Sequence, residues 1–200
     1  MFKFSHLFLS VVSAAVMSVA NADIISFPTA GSQAEISFNE VSFAGNGCSQ
    51  ENTQVASFNG KAIILIHPDF SGSTSESRLV RKSCTVRIPI AMEEGYQVAL
   101  QATSGGRADI SEGTSLTTRR ELFLAGSAGE VISKEYSDVQ NSRITVSKQQ
   151  TSKLSFSKCG GTAILAMNLS AVLKGSSSSY ESNFNLDNTR LNLVVRKCNR

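Results

Sequence analysis

All four cysteines of the chain, Cys48, Cys84, Cys159 and Cys198, lie downstream of an opening segment that reads as an export signal. Lys3 gives a short basic start. Leu7 to Val19 is apolar apart from Ser10, Ser13 and Ser18, and Ala20-Asn21-Ala22 precedes Asp23. This layout predicts a secretory signal over residues 1–22, cleaved after Ala22. The apolar stretch is short for a membrane span, and no later segment is long enough to be one. An even number of cysteines in an exported chain reads as disulfides. Three pairings are open to four cysteines, and spacing alone does not choose among them. The preferred one joins Cys48 to Cys84 and Cys159 to Cys198, giving two consecutive loops of similar length. No pair has C-x-x-C spacing, so neither a zinc site nor a redox dithiol is read here.

Composition narrows the class further. The chain is 41% hydrophobic and 18% charged, too apolar and too weakly charged for global disorder. A net charge of +3 gives no nucleic-acid signature. Removing residues 1–22 takes away His6 and leaves His67 as the only histidine.

Between the cysteines the apolar residues alternate. Cys84, Val86, Ile88, Ile90 and Met92 share one face, with Thr85, Arg87, Pro89 and Ala91 on the other. That is the period of a half-buried strand. Pro89 lacks an N–H, which predicts a sheet edge or a local break there. Tyr96, Val98, Leu100 and Ala102 alternate in the same way, and the two segments read as a hairpin around Glu94-Gly95. In 161–174 the residues Leu165, Met167, Leu169, Ala171 and Leu173 line one face, so a strand is favoured over a helix. A last strand is read over 190–196. Further strands are expected at 35–43, 53–58, 61–67, 107–111, 115–124, 143–147 and 153–157. Turns fall at Asn59-Gly60, Asp69 to Ser77, Ser104-Gly105-Gly106, Gly126 to Gly129 and Gly175 to Ser179. Many short strands with turns at this rhythm predict an all-β fold. The expected architecture is an antiparallel β-sandwich, jelly-roll-like or Greek key, with two disulfides. Residues 23–44 would form an N-terminal arm and first strand, and 45–200 a single domain.

The order of short motifs resembles a known family. Gly45-Asn46-Gly47-Cys48 is followed by an apolar strand ending near His67-Pro68. Cys84-Thr-Val-Arg-Ile-Pro-Ile and Gly95-Tyr96-Gln-Val come next. Then follow Arg119-Arg120-Glu-Leu-Phe-Leu-Ala-Gly126, Cys159-Gly160 and Arg196-Lys197-Cys198. Over roughly 45–198 this is similar to a family of secreted four-cysteine proteins of fungi and bacteria described as a domain of unknown function. The resemblance implies one secreted β-rich domain with two disulfides; it supplies no catalytic residues. This chain departs from the family pattern in having no Trp.

Chemistry-bearing residues are sparse. His67-Pro68-Asp69 is the most chemical-looking triplet, but no G-x-S-x-G elbow accompanies it. Glu93 and Glu94 are adjacent, so on a strand they point apart and cannot act as a glycosidase pair. Asn183 to Asn188 has the oxygen-rich flavour of a calcium loop without its spacing, and reads as an Asn-rich turn. Arg78, Arg81, Lys82 and Arg87 form one basic cluster, Arg119 and Arg120 a second. Candidate contact residues are His67, Asp69, Arg78, Arg81, Lys82 and Tyr180, with no catalytic residue, no metal and no cofactor. The favoured function is a secreted, non-enzymatic binding or structural module of periplasm, cell surface or medium. Its expected partners are an envelope or extracellular polysaccharide or a protein. The alternative is a secreted hydrolase, carbohydrate-active in the first instance, whose site is assembled only in the fold. A third reading is an envelope or protease-inhibitor interaction protein, with loop 69–83 or 175–189 as the contact.

Overall fold

Alternating apolar residues need a partner surface, and here that surface is made by curling one sheet. The computed structural model describes residues 25–28, 35–38, 40–58, 62–75, 77–124, 129–147, 154–175 and 181–198. The expected signal segment 1–22, the expected turn Asn59-Gly60 and Tyr180 lie outside the described residues. The strands are β1 (Ile25–Pro28), β2 (Glu35–Phe38), β3 (Ser42–Ala44), β4 (Gln54–Phe58), β5 (Ala62–Ile66) and β6 (Ser71–Ser73). They continue with β7 (Leu79–Met92), β8 (Tyr96–Leu124), β9 (Glu130–Val146), β10 (Gly161–Lys174) and β11 (Asn183–Lys197). Among the described residues there is no helix.

All pairings are antiparallel and belong to one eleven-stranded sheet. The sheet forks along β8. β9 runs along one edge of β8, while the other edge is taken by β11 up to Asp109 and by β10 from Ser115. One branch continues from β10 to β7, β2 and β1, with β3 also on β7; the other continues from β11 to β5 and β4. Both branches feed one core. Val86, Ile88, Leu165, Met167 and Leu169 enter from the first, and Leu65, Phe70, Phe184 and Leu191 from the second. Each such side chain contributes about 1.5–3 kcal/mol relative to exposure.

The expected faces of 84–92 and 161–174 are the buried ones, and 161–174 is a strand. Pro89 sits where β7 changes partner along one edge: β3 stops at Arg87 and β2 starts at Ile90. No ladder donor is needed at that gap. The expected hairpin of 84–92 with 96–103 does not form. β7 pairs with β10, and the start of β8 pairs with β11, so Glu93–Gly95 carries the chain from one branch to the other. Such a crossing lets two inward apolar faces oppose each other instead of lying side by side. Gly95 adopts φ +86°, which this turn requires.

Three expected strands, 96–103, 107–111 and 115–124, are one continuous β8. Its corner lies between Ile110 and Ser115, where β8 has excess residues opposite β9 and Gly113 and Asp138 take positive φ; Asn141 takes positive φ at the neighbouring register shift between Ala108 and Ile110. Segment 153–157 is not a strand in its described part. It runs along the start of β8, with Ser157 N–H donating to the Val98 carbonyl at 2.8 Å. Both preferred disulfides are present, Cys48–Cys84 and Cys159–Cys198, and no described cysteine is free. Two structural disulfides fit an extracellular or otherwise oxidising environment.

Candidate functional site

The residues singled out in the sequence that are described do not converge. His67 has no solvent exposure. Its Nε2 lies 3.0 Å from Thr189 Oγ1, which in turn donates to Ser104 Oγ at 2.9 Å. Its Nδ1 has no hydrogen-bond partner. Burial pulls the imidazole below its ordinary pKa, against weaker upward contributions from backbone hydrogen bonds and Asp187. Asp69 is exposed and its carboxylate accepts from Asn52. Arg81 and Arg87 lie on the outward face of β7, Lys82 on the opposite face, and Arg78 precedes the strand. A strand periodicity of two splits what looked like a cluster.

The second basic pair is split too. Arg119 is exposed, 3.5 Å from Glu121. Arg120 is fully buried and donates to the carbonyls of Val146, at 2.8 Å, and Ser147. Burial lowers its pKa to about 10, so it remains a cation at neutral pH and clamps the end of β9 onto β8. Glu93 and Glu94 are exposed in their turn. Asn183 to Asn188 is strand with a bulge, not a turn, and no group of metal-ligating side chains occurs among the described residues.

What the fold does assemble is a groove of about 810 Å³ on the outer surface of β9, β8 and β11. Thr103, Gly105, Gly106 and Arg107 come from β8, and Arg143 and Thr145 from β9. Asn185, Asp187, Asn188 and Arg190 come from β11. Register places Arg143, Arg107 and Asn185 in one cross-strand row, and Thr145, Gly105 and Asn188 in the next. Arg190 is opposite Thr103.

Glycines set its shape. Segment 104–106, expected as a turn, is mid-strand. A Cβ on Gly106 would stand 1.8 Å from the Asn185 carbonyl oxygen, where the β11 bulge presses against β8. Glycine inside a strand marks such an approach. Gly105 leaves the floor of the middle row without a side chain; a Cβ there would stand 3.3 Å from Asn188 Oδ1.

Underneath the floor lies the buried chain of His67, Thr189 and Ser104. These two hydroxyl residues alternate with the groove residues Asn188, Arg190, Thr103 and Gly105. His67 therefore supports the groove from behind. On the β9 side, Tyr136 Oη accepts from Thr145 N–H at 3.0 Å and donates to the Thr145 carbonyl at 2.9 Å, fixing the edge beside the groove. At the rim, Arg107 donates to Asn141 Oδ1 at 3.3 Å, and Arg190 Nε donates to Asn192 Oδ1 at 3.2 Å. Within the groove Asn188 Nδ2 donates to Asp187 Oδ1 at 2.9 Å.

Sequence reasoning missed this site because its residues come from three segments and depend on register. Two local signals touched it: Gly105-Gly106, read as a turn, and the oxygen-rich run Asn183 to Asn188, which supplies Asn185, Asp187 and Asn188.

No curated protein matches the chain. Among solved structures, TmCBM61 in complex with β-1,4-galactotriose is similar over 77% of this chain and 87% of that one. Its identity is 9% and its TM-score 0.30. The enzymatically active domain of bacteriophage CBA120 tailspike protein 4 is 14% identical over 80% of this chain and 19% of that one, with a TM-score of 0.26. A structure of infectious bursal disease virus, Gx strain, is 9% identical over 79% and 33%, with a TM-score of 0.28. At these scores the likenesses carry no argument about ligand or activity. One family is matched along most of the sequence, from residue 34 to residue 198, which takes in β2 through β11 and both disulfides. The chain belongs to that family, the domain of unknown function DUF4360.

Proposed function

We propose that this protein is an exported, non-enzymatic binding module whose contact surface is the β9–β8–β11 groove. Its ligand is an extended polar polymer, an envelope or extracellular polysaccharide. On this reading residues 1–22 direct export, are cleaved after Ala22, and leave one domain in an oxidising compartment. The observation that carries the proposal is the groove itself. It is open, spans three adjacent strands and is lined by hydroxyl, amide and guanidinium groups. Such groups hydrogen-bond sugar hydroxyls without the deep apolar pocket that a small cofactor prefers.

Hydrolysis is the lesser reading, because two-carboxylate glycoside cleavage needs a facing pair. Among the described residues the groove lining supplies a single carboxylate, Asp187, already engaged by Asn188. The sequence-derived contacts Asp69, Arg78 and Arg81 are outside the lining and take no part here. The test is a binding survey of the purified disulfide-bonded protein on immobilised polysaccharides, alongside product analysis of the same glycans. Retention on a glycan class without chain cleavage is the expected result. Release of shortened products lost on Asp187→Asn would replace the binding reading with the hydrolase.

A further inference from the structure

We infer that the groove recognises an acidic polysaccharide, with Arg107 and Arg143 as a paired anion subsite; this rests on the binding-module reading. The argument starts from register. Arg107 and Arg143 are direct cross-strand partners on β8 and β9, and both are exposed. Side chains directly opposite on one face stand about 5 Å apart at Cβ, and like charges there destabilise the sheet. A fold tolerates the pair at less cost when a third, negative group sits between them. Neither arginine forms an ion pair among the described residues, and Arg107 donates instead to the neutral amide of Asn141. Two guanidinium forks on neighbouring strands at one register position suit a carboxylate or sulfate, which can accept from both.

The rest of the groove says that the ligand is a chain. Arg190 lies on the same surface, at the register position of Thr103. That is four residues from Arg107, about 13 Å at the rise of an extended strand. Between these two cationic points lies the neutral row of Thr145, Gly105 and Asn188. A single anion would use one of the two points. A polymer with repeated anionic groups, separated by hydroxyl-bearing units, uses both and the neutral row between. Asp187 in the lining works against a dense polyanion and favours one whose charges are spaced.

The experiment uses the full exported chain, with polygalacturonate, its methyl ester, dextran sulfate and neutral dextran as probes. The wild-type protein should bind polygalacturonate, bind its methyl ester about tenfold or more weaker, and weaken as salt rises. Arg107→Gln and Arg143→Gln should each lose about tenfold. Lys174→Gln, at the end of β10, should change nothing. Removing one of two facing charges should leave the melting temperature equal or higher, which separates lost contact from lost fold. Preference for dextran sulfate over polygalacturonate, still dependent on both arginines, would keep the anion subsite and make sulfate its source. Equal binding to the acid and its methyl ester, indifferent to both arginine variants, would overturn this inference while leaving the binding module standing. Binding to none of the four would defeat this inference, and the wider reading with it if the survey is also blank.

Discussion

His67 shows how far a residue can lie from the role its chemistry suggests. It is the only histidine after residue 22, and it is buried beneath the groove with one nitrogen bonded to Thr189 and the other unpartnered. Desolvation lowers its pKa, so the folded protein holds it neutral. In the unfolded chain it titrates near 6.5. Below that pH the unfolded state binds the proton that the native state refuses, so stability falls as pH drops through about 6.5. Thermal unfolding between pH 7.5 and 5.5 should therefore show a declining melting temperature, and His67→Gln should flatten the decline. An equal slope in both proteins would mean that other groups carry it. The sequence gives residue types and their alternation; it does not reveal that Arg119 and Arg120 go to opposite sides, one to solvent and one to a fully buried clamp, until the strand phase is known.

Elements were the most legible level. The alternation of 84–92 and 161–174 marks both strands and both inward faces, because a sheet residue has only two sides to choose from. Length was less legible. β8 is one strand where three were expected, since Ser104-Gly105-Gly106 looks like a turn by composition alone and 112–114, around Gly113, falls between two expected strands. In the structure the first is the place where β8 and the β11 bulge touch, and the second is the corner where β8 changes neighbours. Gly106→Ala tests the first directly. Its methyl would meet the Asn185 carbonyl, and the bulge would have to open. The change should destabilise the protein by about 2 kcal/mol or more, in the range of strained core substitutions. Chemical denaturation should read it as a lower midpoint. Since Asn185 and Asn188 flank that bulge, any glycan affinity should drop as well. A neutral outcome would show that the bulge is soft.

At the scale of the whole molecule the two disulfides fasten a forked sheet. Cys48 lies on the connection from β3, on one branch, to β4, on the other, and is bonded to β7. Cys159–Cys198 joins the start of β10 to the end of β11, across the two branches at the end away from the corner of β8. Each closes a loop whose chain-entropy contribution is about 4 kcal/mol. Replacing Cys159 and Cys198 together by Ala should cost several kcal/mol, read as a large drop in melting temperature and in yield. Non-reducing peptide mapping of the wild type should recover 48–84 and 159–198, and any other pairing would contradict the fork. By itself the sequence determined the all-β class, the inward faces and the cysteine chemistry, because these follow from local alternation and residue type. Only the tertiary structure decided which strands are neighbours, that one sheet divides into two branches, and that Arg107, Arg143 and Arg190 share a groove. Strand pairing joins residues far apart in sequence, and a one-residue change in register would send every side chain to the other face.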